Sequence, residues 1–211
     1  MNPVRLCAGT LEVEHPDQVL LDYLDPRNGY AFTAYDGLVT NGAPALVDGD
    51  LLAPNLIGTE VDRSRFLLLR ELLPRIAGVA DLPAVALQDA DDAVVGEVAA
   101  LFAVLDDAPY AGRGVRGTIL SKVLHRKRPD LVPLYDSRIF ESYTAPGAIE
   151  RSAHRTWRAS MTLLLQHMRA DLQREQAAFD ELVEVAAGAG ARLTRLRVLD
   201  VLVWRTAEAW H

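Results

Sequence analysis

The segment 194–204 restricts most severely how this chain can fold. Leu196, Val198, Leu199, Leu202, Val203 and Trp204 recur there at helical spacing, yet they cover more than one face. A helix that is apolar on several sides has to be buried, so this last helix is expected inside the molecule rather than on its surface. Helical spacing also governs the segments before it. Phe66, Leu69, Leu72 and Leu73 mark a helical pattern that runs from Ser64 onward and is interrupted at Pro74. Asp89 stands where it would cap a second helix carrying Val94, Val95, Val98, Leu101, Phe102 and Leu105. Residues 151–187, with Trp157, Met161, Leu164, Leu165, Met168 and Leu172, read as one helical segment ended by Gly188-Ala189-Gly190.

Residues 1–55 are rich in turn signals, among them Asp25-Pro26-Arg27-Asn28-Gly29, Asn41-Gly42-Ala43-Pro44 and Asp48-Gly49-Asp50. Tyr30–Tyr35 alternates aromatic with small residues, which suits a short strand or the opening of a helix. Asp50 is placed to cap a helix over LLAPNLIG, with Pro54 limiting it. No internal repeat or linker divides the chain. The expected fold is all-α or nearly so, a single domain over 1–211 with a helix-hairpin-helix-like element, in which two helical lobes around a cleft are one arrangement.

Charge and composition exclude several function classes. The net charge of −7 argues against strong duplex binding, because phosphate neutralisation supplies most non-specific affinity for nucleic acid. The distribution softens that conclusion: 113–128 holds six Lys or Arg and no carboxylate, whereas 81–107 is acidic. No apolar run approaches the ~20 residues of a membrane span, and the N-terminus lacks the apolar core of a secretory signal. A single cysteine, Cys7, excludes an internal disulfide and a cysteine zinc cage. In a flexible N-terminus it is also a poor nucleophile. His15, His125, His154, His167 and His211 show no metal-binding spacing. A cytoplasmic protein without metal or cofactor is expected, and the Arg- and Ala-rich, Lys-poor composition suits a high-GC bacterial genome.

The chemistry concentrates in 112–140, GRGVRGTILSKVLHRKRPDLVPLYDSRIF. Gly112, Gly114 and Gly117 match G-x-G-x-x-G, and Asp136 follows the last glycine by 19 residues, as in a dinucleotide-binding unit. The context does not fit that unit, since no buried strand precedes the glycines and Pro133 would break a central strand. The alternative is a glycine-rich turn opening a helix from Thr118 to about Arg126, a Pro-bounded loop, and a further helix starting at Asp136. Read structurally, Asp136 is then a helix cap and His125-Arg126-Lys127-Arg128 a solvated helix end.

This stretch resembles the hairpin-and-aspartate segment of the helix-hairpin-helix DNA glycosylases. Val132-Pro133-Leu134-Tyr135-Asp136 corresponds to their Pro-Val-Asp-like corner with one residue inserted. SKVLHRKRPDLVPLYDS, DLLA at 50–53 and LRVLDVLVW at 196–204 together resemble an uncharacterised actinobacterial family over most of the chain. The glycosylase resemblance covers only about thirty residues and departs from its pattern. Thr118 stands near the position of the Schiff-base lysine, with Lys122 one turn later, and Arg116 replaces the second hairpin glycine. It implies that Asp136 stabilises a sugar cation, assisted by Lys122. Arg126, Lys127, Arg128 and Arg138, with His125, would hold an anionic substrate group, and Tyr135 or Trp204 would stack on a base.

The implied partner is a nucleobase-containing small molecule or DNA. Two other readings stand beside an N-glycosidic hydrolase: a non-catalytic helical module binding nucleic acid or an acidic partner, and an enzyme of specialised metabolism reusing the scaffold. Tyr35-Asp36 and Asp48-Gly49-Asp50 offer further carboxylates, for which turn and capping roles suffice.

Overall fold

Burial of the last helix sets the architecture. In the computed structural model, residues 1–30, 32–38, 44–107, 114–144, 149–150, 152 and 155–208 are described. The turn at 41–43, Gly112, Arg113, Arg151 and His154 lie outside them. Helix α10 (Arg195–Glu208) is buried without a break from Leu196 through Val203, including Arg197 and Asp200. It packs against α1 (Pro16–Leu24), α7 (Ser137–Thr144) and α9 (Gln176–Gly188). A second layer pairs α5 (Asp92–Phe102) with α8 (Trp157–Arg174). Helices α2 (Phe32–Asp36), α3 (Asp48–Leu52), α4 (Arg63–Ile76) and α6 (Gly117–His125) complete the described set. One continuous apolar core runs from Val4 to Val203, with a small satellite of Tyr35, Ala53 and Leu134.

The fold is therefore mostly helical, as the spacing predicts, with one addition. Val4–Leu6 (β1) and Leu11–Val13 (β2) form an antiparallel hairpin, the only sheet among the described residues. Its turn places Cys7, Ala8 and Gly9 at φ of 54°, 57° and 87°. Two non-glycine residues in the left-handed region cost energy, and a buried carboxylate offsets it. Asp171 of α8 accepts the amides of Cys7 (2.7 Å) and Ala8 (3.3 Å), the Tyr143 hydroxyl (2.9 Å) and the Arg174 guanidinium (2.6 Å). Cys7 is thus an ordered, buried residue rather than part of a flexible end, and burial pushes its thiol far above the usual range.

Several boundaries differ from the sequence expectation for local reasons. Asp91, in extended conformation, caps α5 by accepting the Val94 amide at 2.9 Å, because Asp89 is used in the short 3-10 turn Leu87–Asp89. Helix α4 continues through Pro74, which lies on the exposed face two residues before the helix ends at Ile76. The segment 151–187 contains two helices, broken at Glu175 (φ −102°, ψ 24°). Asp50 lies within α3, where its carboxylate accepts the Val47 amide at 2.9 Å. Tyr35 belongs to α2, so the aromatic alternation around it opens a helix rather than a strand.

Candidate active site

The irregular chain through Val132-Pro133-Leu134-Tyr135 has no ladder partner, so its backbone groups need partners elsewhere. The surrounding helices supply them. The His125 ring bonds the Val132 carbonyl through Nδ1 at 2.6 Å, Asp200 of α10 accepts the Leu134 amide at 2.9 Å, and Ser121 of α6 accepts the Tyr135 amide at 3.0 Å. Asp136 ends the corner as the cap of α7, accepting the Ile139 amide through Oδ1 at 2.9 Å. His125 is wholly buried and pushed down to about 3, first by burial and then by Arg197, so it is neutral and donates from Nδ1.

Gly117 opens α6 beneath an aromatic lid. A Cβ there would lie 2.3 and 2.6 Å from Trp157 ring atoms and 3.0 Å from the Tyr135 ring. Tyr135 meets Trp157 edge to face at 5.6 Å and tilts against Phe140 at the same distance. Burial, then Asp136 and Glu141, push the Tyr135 phenol up to about 12.

Lys122 projects from α6 towards the segment 57–59. It is 8% exposed and donates to the Ile57 carbonyl (2.9 Å) and the Thr59 hydroxyl (2.5 Å). Burial pulls its amine down to about 8, Asp136 opposes the shift, and Arg197 reinforces it. Lys122 is thus a buried amine of lowered basicity on which the Asp136 charge acts. An unfolded lysine holds its proton to about 10.5 and the folded one to about 8, so stability rises with pH across that window. Lys122→Met is expected to remove this rise, as checked by urea unfolding at about pH 7 and about pH 11.

Behind this pair lies a buried cluster. Arg197 donates to the Tyr23 hydroxyl at 2.7 Å and faces Asp36 Oδ1 at 3.4 Å. Burial opposes its charge, but Asp36, Tyr23 and Asp200 outweigh burial and hold it above the ordinary arginine value. The Tyr35 hydroxyl donates to the Lys122 carbonyl at 2.5 Å, joining α2 to α6.

The cations of the 126–128 loop face inward. Arg126 donates to the carbonyls of Tyr35 (2.6 Å) and Leu38. Lys127 pairs with buried Asp50 at 2.8 Å. Arg128 donates to the carbonyls of Ala80 (2.5 Å), Leu82 (3.0 Å) and Lys127 (3.0 Å). Both lysines of the chain, Lys122 and Lys127, are consequently almost shielded from solvent. Arg138 lies over the Trp204 ring at 5.4 Å. The structure thus sets Tyr135 and Asp136 at one corner, holds Lys122 against Ile57 and Thr59 and Arg138 over Trp204, and gives Arg126, Lys127, Arg128 and His125 partners within the fold.

Sequence reasoning passed over Ser121, Arg197 and Asp200. The last two left a readable signal: two charged residues three apart in a helix otherwise apolar on several sides. Among the described residues no group of three or more His, Cys, Asp or Glu is arranged to hold a metal ion, and no helix is long and apolar enough to cross a membrane.

Comparison with known proteins gives one match. The profile of a family of unknown function, DUF6308, fits residues 17–207. Neither the curated proteins nor the solved structures contain a match. The fitted span runs from the first turn of α1 almost to the end of α10 and takes in the whole corner, Lys122 and the buried cluster; the chain belongs to the DUF6308 family.

Proposed function

We propose that the chain is a cytoplasmic enzyme of helix-hairpin-helix glycosylase ancestry that cleaves an N-glycosidic bond in a nucleoside, a nucleotide or damaged DNA. The observation that carries this reading is Asp136 itself, a carboxylate fixed by its bond to the Ile139 amide at the end of the 132–135 corner, on whose charge the buried Lys122 amine acts. Oδ1 of Asp136 is engaged as a cap, which orients the carboxylate and leaves Oδ2 for substrate. In the reaction the C1′–N bond breaks and its electron pair leaves on the base, which takes a proton from solvent. The carboxylate of Asp136 stabilises the sugar cation, with the buried Lys122 assisting electrostatically, and water adds to C1′ and returns its proton to solvent.

The inward orientation of Arg126, Lys127 and Arg128 supports a small substrate over duplex DNA, since those charges are engaged by carbonyls and by Asp50. It weighs equally against a non-catalytic module that binds nucleic acid through this loop.

The test compares wild type with Asp136→Asn on a panel of nucleosides, nucleotides and lesion-bearing oligonucleotides, reading released base by mass spectrometry. Asparagine is as good a helix cap as aspartate, so folding is expected to survive while base release falls by about 10²–10³-fold. Equal release by both proteins, or none from any substrate, sinks the reading.

A further inference from the structure

Asp200 sits in the middle of α10, 1% exposed, at a position where helical periodicity calls for an apolar residue. One of its oxygens is fully accounted for, since Oδ2 accepts the Leu134 amide at 2.9 Å and so fixes the chain two residues before Asp136. The other, Oδ1, is buried and meets no donor. Asp36 has the same defect on the far side of Arg197, with Oδ1 facing the guanidinium at 3.4 Å and Oδ2 buried without a donor. Two carboxylates whose charges act on one guanidinium, each with a bare buried oxygen, have too few donors for both to be carried in the ionised form. Protonation of one of them relieves the conflict, because it removes a negative charge that the cluster has too few donors to hold.

We propose that Asp200 is a positioning residue of the candidate site: a buried carboxylic acid, protonated on Oδ1, that holds the Leu134–Asp136 corner through Oδ2 and whose proton sets the charge felt by Asp136 and Lys122.

The surrounding groups account for that protonation. Burial pushes Asp200 up to about 8, against the lowering effects of Arg197 and the Leu134 amide, while Asp136 and Asp36 raise it further. Around it stand Arg197 from its own helix, Asp36 and Tyr35 from α2, Tyr23 from α1 and Tyr143 from α7. On the other helices against α10, Asp180 of α9 pairs with Arg195, and Asp171 of α8 accepts from Tyr143 and Arg174. Lys122 joins through Asp136 and Arg197. With Asp200 neutral, Asp36 and Asp136 balance Arg197 and Lys122. Loss of the Asp200 proton leaves one excess negative charge beneath the corner, which makes Lys122 hold its own proton more tightly.

The proposal rests on the reading of Asp136 and Lys122 as one site, but its test needs no substrate. The chain has two lysines, so protein carrying ¹³C,¹⁵N-lysine gives two amine signals, and Lys127→Arg assigns them. The Leu134 amide proton, bonded to Oδ2, reports the charge on Asp200 directly.

In the wild type the Leu134 amide and the Lys122 signal are expected to move through a common inflection between about pH 7 and 9. Asp200→Asn keeps an acceptor for Leu134 and cannot titrate. It is expected to abolish the Leu134 inflection and lower the Lys122 midpoint by about half a pH unit or more. A folded Asp200→Asn protein whose Lys122 curve superimposes on that of wild type overturns the proposal.

Should that variant fail to fold, the wild-type Leu134 amide decides alone. An inflection in the stated window supports a protonated acid, whereas one below about pH 5, or none, refutes it. Coupled titration without base release would sink the glycosidic reading and leave the role of Asp200 standing, and base release with uncoupled titration would do the reverse.

Discussion

Asp171→Ala is expected to destabilise the protein by about 3–5 kcal/mol, the range for stripping one partner from a buried charged network. The carboxylate of Asp171 receives four donors: the amides of Cys7 and Ala8, the Tyr143 hydroxyl and the Arg174 guanidinium. Alanine leaves the first and third of these buried and unpaired, and it removes what offsets the left-handed Cys7-Ala8-Gly9 turn. The effect reaches beyond α8, because the carboxylate ties the N-terminal hairpin to α7 and α8 at a single point. Urea unfolding followed by circular dichroism gives the number. Asp171→Asn is expected to lose less, since one amide oxygen still accepts while the NH₂ faces a donor. A loss below about 1 kcal/mol for the alanine variant would mean that water replaces the carboxylate and that the turn is not strained.

Gly117→Ala is expected to cost about 2–3 kcal/mol, near the top of the range for overpacking a filled interior. Alanine is ordinarily the better helix residue, so the sign reverses the propensity argument. The new methyl carbon would lie 2.3 Å from one Trp157 ring atom and 3.0 Å from the Tyr135 ring. Neither ring can yield cheaply, because each packs against the other. The consequence falls on the candidate site, since Tyr135 precedes Asp136 and its amide is bonded to Ser121. Combining Gly117→Ala with Trp157→Leu is expected to be less damaging than the sum of the two changes, as their shared contact requires. Thermal and urea unfolding of the four proteins in this cycle measure the coupling, and strict additivity would show that the ring and the glycine are not in contact.

How much of this was legible in the chain depends on the range of the interaction. The burial of α10 follows from apolar residues on several of its faces, and the structure has 196–203 wholly buried. The helix after the glycines and the cap at Asp136 are local features, and they lie where spacing and capping rules put them. The hairpin at the N-terminus was not legible. Its strands are three residues each, too short for an alternation to register, and its turn is stabilised by a residue 164 positions away.

The partners of the loop cations were hidden for the same reason. A run of positive residues shows charge but not direction, and Arg126 finds the Tyr35 carbonyl across 91 positions of sequence. Asp89 and Asp91 are equally good caps by residue type, and only the turn before them selects between the two. Arg197 and Asp200 stand out as charges in an apolar stripe, but nothing local says that they meet Asp36 and the Leu134 amide.

The shielding of both lysines gives the native protein an unusual surface chemistry. Acylating reagents that attack primary amines find little to react with at Lys122 and Lys127 until the chain opens, because one is held by Ile57 and Thr59 and the other by Asp50. The rate of acylation at these two positions is therefore a clock for opening of the α6 region, readable by peptide mass mapping in a mixture and without a spectroscopic label. Each modification also destroys a buried contact, so a molecule tagged while open is hindered from closing again.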